Sequence, residues 1–388
     1  MLHQRLVGVD LARLVALLGM FTAHLVDREV GIGPGGVDWR FQLVAGRSAA
    51  LFAVLAGVSL ALASPLAVVR SDPGGLRRRI LVRAALVGVL GLWLGLLGSG
   101  IAVILTYYAV LFCCALPVLT WRASRLALLA LGWGLLSPVA SLLLRRVLPE
   151  ATGEVPSLVM LLSRPLDMVL QILVTGYYPV LTWATYLFVG LAVGRLLRES
   201  GGSLPGSRVL LLGGAGLASA ALGASALLTR SSGVQTALLS TMPPGPSTLT
   251  GLDRLQRTGF YGTHPAESGW WLGVWVPHSG SVVDLAHTVG TSLLVLGVCL
   301  WLVRVTASLP WSVLAGAGTM SLTFYTAHVL LLASPLGDVG PLARHTASGL
   351  ALQAALTVVI GAVVASRDRR GPLESVVSKA VQRVPLQR

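Results

Sequence analysis

The chain has 388 residues, of which 54% are hydrophobic and only 11% charged, and it carries a net charge of +14. A soluble globular chain has about 25% charged residues, so the composition excludes a soluble enzyme and points to a membrane protein with many spans. The positive charge comes from 28 arginines and the single Lys379. It gathers in short connecting segments, as in cytoplasmic loops, which makes a nucleic-acid partner unnecessary.

The first apolar segment, 6–25, reads LVGVDLARLVALLGMFTAHL. It is long enough to cross a bilayer and is read as a retained span, because no small-residue cleavage site and polar mature chain follow it. At about 3.6 residues per turn, Asp10, Arg13 and His24 fall on one stripe. An ionisable group at the centre of a span costs roughly 2.5–3.5 kcal/mol. The stripe is therefore expected to face a bundle interior or a water-filled cavity. A plainer reading keeps Asp10 and Arg13 as a structural i, i+3 pair, with His24 an interfacial residue.

Nine more apolar segments follow, giving an all-α, polytopic transmembrane helix bundle of about ten spans: 6–25, 45–67, 80–98, 101–120, 124–144, 178–197, 208–228, 282–303, 311–333 and 346–366. With both termini cytoplasmic, the loop arginines Arg70, Arg77 to Arg79, Arg122, Arg125, Arg195, Arg198 and Arg304 all lie inside. Arg145, Arg146 and Arg164 are the main exceptions. Residues 1–366 read as one transmembrane domain of a cell (plasma) membrane protein, followed by a basic cytoplasmic tail, 367–388, of amphipathic pattern. Two longer segments are expected outside. In 146–177 the spacing of Arg164, Asp167 and Gln171 predicts an amphipathic helix over 158–174. The second, 229–281, carries His264, His278, Trp270, Trp271 and Trp275, with the tryptophans readable as interfacial anchors.

Polar residues converge on the outer half of the predicted bundle. Ser281, Asp284, Thr288 and Thr291 share a stripe of the eighth span, with His287 beside it and His278 just before. Ser321, Tyr325 and His328 share a face of the ninth at i, i+4, i+7. Arg47 and Ser48 open the second span at the same level. Each histidine alone reads as a packed residue, whereas several at one depth read as a polar site. Histidine is the usual general base or acid near neutral pH. His24 would take a proton from an attacking hydroxyl or amine, while Arg13, about 16 Å deeper by helical rise, would hold an anionic donor and Asp10 would orient it. No metal is expected, since Cys113, Cys114 and Cys299 lie in apolar runs and no histidine spacing suits a ligand set.

At these residues the chain resembles the transmembrane acyltransferase superfamily, in particular bacterial membrane proteins related to heparan-alpha-glucosaminide N-acetyltransferase. The opening span matches in its acid, its arginine and the Arg13-x10-His24 spacing. GRSAALFAVLAGVSLAL (46–62), YPVLTWATYLFVGLAVGRLL (178–197) and GTMSLTFYTAHVLLL (318–332) resemble the second, middle and late helices of that superfamily. The resemblance implies acetyl-coenzyme A or another acyl-coenzyme A as co-substrate, bound from the cytoplasm, and an extracytoplasmic glycan or glycolipid as acceptor. It puts His24 in the catalytic position and Arg13 in the donor-contacting one; Arg47 and Ser48, from their place at the start of the second span, are read as further donor contacts. His278, Asp284, His287, Ser321, Tyr325 and His328 would then support the acceptor or the base. The resemblance to lysosomal-type enzymes implies a histidine in the loop after the first helix; the loop 26–43 here has none, which leaves His24, on the pattern of the bacterial O-acyltransferase branch. The alternatives are a transporter or flippase whose polar stripe lines a solute path, and a scaffold whose charges are structural. No span carries a decisive dimerisation motif, so a homodimer stays open.

Overall fold

The computed structural model describes residues 6–28, 36–150, 152–200, 204–243 and 247–385; the tail residue Arg388 lies outside them. In chain order the helices are α1 (Val7–Leu25), α2 (Trp39–Val44), α3 (Arg47–Ala63), α4 (Leu66–Ser71), α5 (Pro73–Leu94), α6 (Leu105–Ala115), α7 (Ala123–Arg145), α8 (Leu158–Ser163) and α9 (Pro165–Leu170). They continue with α10 (Val180–Ser200), α11 (Leu204–Leu228), α12 (Ser232–Leu239), α13 (Leu249–Thr258), α14 (Val282–Val305), α15 (Trp311–Leu314), α16 (Ser321–Leu332), α17 (Ala347–Ser366) and α18 (Pro372–Gln382). No strand occurs among the described residues.

Seven helical stretches among them are long and apolar enough to cross a membrane: α1, α2 with α3, α7, α10, α11, α14 and α17. The other three expected segments take different forms. α5 is 22 residues long, but its first half holds Arg77, Arg78, Arg79 and Arg83. α6 has 11 residues. The segment expected at 311–333 is broken into α15, a tight turn over Gly316–Met320, and α16. The break follows from close packing: a Cβ on Gly318 would overlap the carbonyl of Asp10 on α1. Irregular backbone at membrane depth is tolerated where protein buries it, and Gly316, Ala317, Gly318 and Met320 are all buried.

The continuous helix expected over 158–174 is also interrupted. Pro165 disfavours helical geometry at the residue before it, and Arg164 sits at φ −142°, ψ 63° between α8 and α9. Arg164 pairs with Glu154, whereas Gln171 is buried, so the three polar residues do not form one solvent face.

α1 sits at the centre of the bundle, packed against α3, α14 and α17 and the turn before α16. Its charges suit a helix dipole, with Asp10 in the first turn and His24 in the last. α3 crosses α10 closely: a Cβ on Gly57 would overlap the Leu187 carbonyl, and one on Gly190 that of Val54. Arg195, counted above with the loop arginines, lies within α10 and is 2% exposed; it donates to the carbonyls of Ser64 and Leu119 (2.6 Å to the latter) and so closes off neighbouring chain ends. Segment 229–281 builds a small core of its own around Trp271, Val274, Val276 and Leu238. Trp271 is wholly buried and donates to Thr241 Oγ1 at 2.9 Å. Of the three tryptophans there, only Trp270 is exposed in the way an interfacial anchor would be.

Candidate functional site

Three chambers follow one another along α1. The first, of about 850 Å³, is basic on balance: Arg13, Arg198, Arg369 and Arg370 outnumber Asp10, Asp368 and Glu374 in its lining. The second, of about 390 Å³, is mainly apolar, with Phe52, Leu55, Val87, Tyr108 and Tyr325 in its wall. Arg13, Ser59, Thr319, Arg370 and Glu374 border both. The third, of about 640 Å³, holds His24, Ser48, Tyr177, Tyr178, Tyr261 and His278. Met20 lines the second and the third and divides them.

The sequence accounts for the shape of the basic chamber. Asp10 and Arg13, three residues apart, meet on one face of α1, with Arg13 Nη1 to Asp10 Oδ1 at 2.6 Å. The other arm of the guanidinium donates to Ser59 Oγ on α3. Asp10 is 4% exposed, while the Arg13 side chain keeps 23% of its surface open. A fork held on both arms and facing a chamber is set up to meet an anion. The tail helix α18 closes this end. Its Glu374 accepts from Leu322 N (2.8 Å), Thr323 N (3.1 Å) and Thr323 Oγ1 (2.6 Å), satisfying free amides at the start of α16. Val377 and Val381 of the tail face the apolar chamber, while Val376 on the same helix stays exposed.

In the third chamber His24 meets His328, 304 residues away in the chain, with Nδ1 and Nε2 3.1 Å apart. Phe21 stacks on His328 at 4.2 Å between ring centres. His328 Nδ1 lies 2.9 Å from Gln353 Oε1 on α17. Ser321 and Tyr325 border the apolar chamber, and the Tyr325 hydroxyl accepts from Ile104 N at 3.2 Å. Tyr177 packs against His278 (4.6 Å), Tyr261 (4.7 Å) and Tyr178 (4.7 Å), an aromatic wall beside His24. His278 lies outside the spanning segments. Burial, with Arg28 nearby, brings its imidazole down to about 3, so it presents a neutral ring. Burial pushes the Tyr177 phenol up to about 12.

The remaining expected residues form a separate cluster. Arg47 Nε donates to His287 Nε2 at 2.9 Å, and its guanidinium lies over the Trp275 ring at 5.1 Å. Asp284 is 2% exposed and accepts from Gly280 N at 3.1 Å. None of the three borders the chambers along α1. Sequence reasoning missed Ser59, Gln353 and Glu374. Ser59 lies within the quoted AGVS stretch and Gln353 is the lone amide of an apolar span, which is a usable signal. Glu374 has none, since its role depends on where the tail folds back.

The family model for the heparan-alpha-glucosaminide N-acetyltransferase catalytic domain matches residues 5–228. That stretch contains Asp10, Arg13, His24, Ser48 and Ser59 and ends before His328. A comparison with curated proteins found no match. The family match covers more than half of a chain whose acid, arginine and histidine line successive chambers of one helix, and the protein belongs to the heparan-alpha-glucosaminide N-acetyltransferase catalytic family.

Proposed function

We propose that the protein is a membrane acyltransferase that moves an acyl group, acetyl in the simplest case, from a coenzyme A thioester to an extracytoplasmic glycan or glycolipid. The observation that carries this reading is the series of chambers, basic, then apolar, then histidine-lined, along one helix. In the topology with both ends inside the cell membrane, the basic chamber opens to the cytoplasm, where acyl-coenzyme A is available. Its arginines suit the phosphates of the donor. The apolar chamber suits a long flexible thioester arm, because Arg13 and His24 are about 16 Å apart by helical rise. The acyl carbon then stands near Met20, and the acceptor enters from the His24 side.

His24 acts as the general base. The acceptor's O–H or N–H bond breaks as its proton passes to His24, and the freed electron pair forms the bond to the acyl carbon. The C–S bond breaks, and the departing thiolate takes the proton from His24. Positioned proton transfer of this kind is worth about 10²–10⁴ in rate. Asp10 and Ser59 hold the Arg13 fork on the donor. Ser48, His278 and the tyrosines flank the acceptor, and Arg47, engaged with His287, belongs to packing.

The test uses wild type and His24→Ala in lipid nanodiscs, with acetyl-coenzyme A and then longer acyl-coenzyme A donors. Wild type is expected to bind the donor and to release free coenzyme A when a glucosamine-containing glycan extract is added; His24→Ala is expected to bind without release. Absence of donor binding by both proteins overturns the reading. A transporter or flippase draws on the same path and on the broken segment 311–332; it predicts solute passage with the thioester left intact.

A further inference from the structure

We infer that Gln353 and His328 are positioning residues that lock His24 in the one neutral tautomer able to act as a base, a proposal that rests on the acyl-transfer reading for its use but not for its geometry. Three helices distant in sequence supply the parts, α1, α16 and α17, and two of them lie beyond the segment matched by the family.

The direction of every hydrogen bond in the chain is fixed from its far end. Gln353 Nε2 donates to the Leu342 carbonyl at 3.0 Å. Turning the amide over would set its oxygen against that carbonyl, acceptor against acceptor, so Gln353 Oε1 faces His328. An amide oxygen only accepts, so His328 carries its proton on Nδ1, 2.9 Å away. A neutral imidazole protonated there has a bare Nε2. His24 Nδ1, at 3.1 Å, must then be the donor. This leaves the lone pair of His24 on Nε2, which has no protein partner among the described residues, on a side chain that lines the third chamber. His328 and Gln353 are 3% and 5% exposed, so water does not compete for these bonds, and Phe21 stacked on His328 keeps its ring from turning.

The consequence for the reaction is twofold. Without the relay His24 divides between two tautomers and two ring orientations, of which one presents N–H to the acceptor and cannot accept its proton. With the relay, the imidazolium formed when Nε2 takes the acceptor proton still donates through Nδ1 to His328, and that bond strengthens as it becomes charge-assisted. Loss of the partner that orients a metal-ligating histidine costs about 10–100-fold, and a loss of the same order is expected for the partner behind a base.

The test compares wild type, Gln353→Leu and Gln353→Glu in nanodiscs by two readouts: coenzyme A release, and the ¹⁵N signals of labelled histidines, assigned with His24→Ala and His328→Ala. Other ionisable groups on the same chamber are Asp27, Arg28, His278, Arg344, His345 and the phenols of Tyr177, Tyr178 and Tyr261, and they are left unchanged. Wild type is expected to show both rings in the Nδ1–H form. Gln353→Leu is expected to lose about 10–100-fold in kcat with donor Kd unchanged, and to show mixed tautomers at His24. Gln353→Glu, protonated on the oxygen that meets the Leu342 carbonyl, still offers its other oxygen to His328, so it retains the tautomers and most of the turnover. Unmixed tautomers and unchanged kcat in Gln353→Leu, or an Nε2–H form of His24 in wild type, overturn the relay. Correct tautomers in a wild type that releases no coenzyme A support the relay and overturn the acyl-transfer reading instead.

Discussion

His24 and His287 are both imidazoles on apolar helices, and their surroundings differ in one respect that decides their chemistry. His287 is 3% exposed and has both ring nitrogens satisfied by protein: Nε2 accepts from Arg47, and Nδ1 lies 3.2 Å from the Ala218 carbonyl. The Trp275 ring covers it at 5.2 Å. His24 is only partly buried, has one nitrogen on His328, and lines a chamber of about 640 Å³. A histidine whose valences are filled by its own fold holds helices together. One with an open nitrogen on a cavity is available to a substrate.

The sharpest break between the two comes from their removal. His24→Ala is expected to lower turnover by about 10²–10⁴ with donor affinity kept, measured by coenzyme A release against donor titration. Arg13→Lys is expected to weaken donor binding about tenfold, since the ammonium keeps the charge and loses the fork that Asp10 and Ser59 hold in place; isothermal titration checks it. His287→Leu is expected to leave turnover per folded molecule within about twofold and to cost roughly 1–3 kcal/mol of stability, because Arg47 loses a buried acceptor. A fall in turnover matching that of His24→Ala would erase the distinction.

The smallest effect is on pH and stability and concerns His278. Its folded value of about 3 lies below the model-peptide value of 6.5, so the unfolded chain binds a proton that the folded one refuses. The stability this burial contributes is present above pH 6.5 and is lost as pH falls towards 3. His264, held down to about 4 by burial, adds a change of the same sign. The melting temperature should be flat above pH 7 and fall between 6.5 and 4. His278→Asn should make the fall shallower, since asparagine accepts the left-handed backbone found there (φ 59°).

The long apolar helices were legible in the chain because a span announces itself by length and hydropathy. The charged stripe of α1 was legible because 3.6-residue spacing makes a face. Two kinds of feature were not. The break at 311–333 depends on Gly318 meeting the backbone of α1, and no local signal marks which glycine is approached by another helix. The division of the outer histidines into a chamber pair and a packing cluster depends on which helices become neighbours; depth alone put His24, His287 and His328 together, and packing separated His287. Glu374 and the folded-back tail belong to the same class, being long-range contacts written on both partners and readable on neither alone.

An acyl group that enters through the basic chamber and leaves from the histidine chamber makes the reaction sided. Proteoliposomes of known orientation would receive acetyl-coenzyme A labelled in the acetyl group on one face only, with a glucosamine-containing glycan sealed inside or added outside. Labelled glycan is expected only when donor and glycan are on opposite sides and the donor faces the Arg13 end, with no label in His24→Ala. Label on a glycan sharing the donor's side, or transfer from the His24 side, would contradict it.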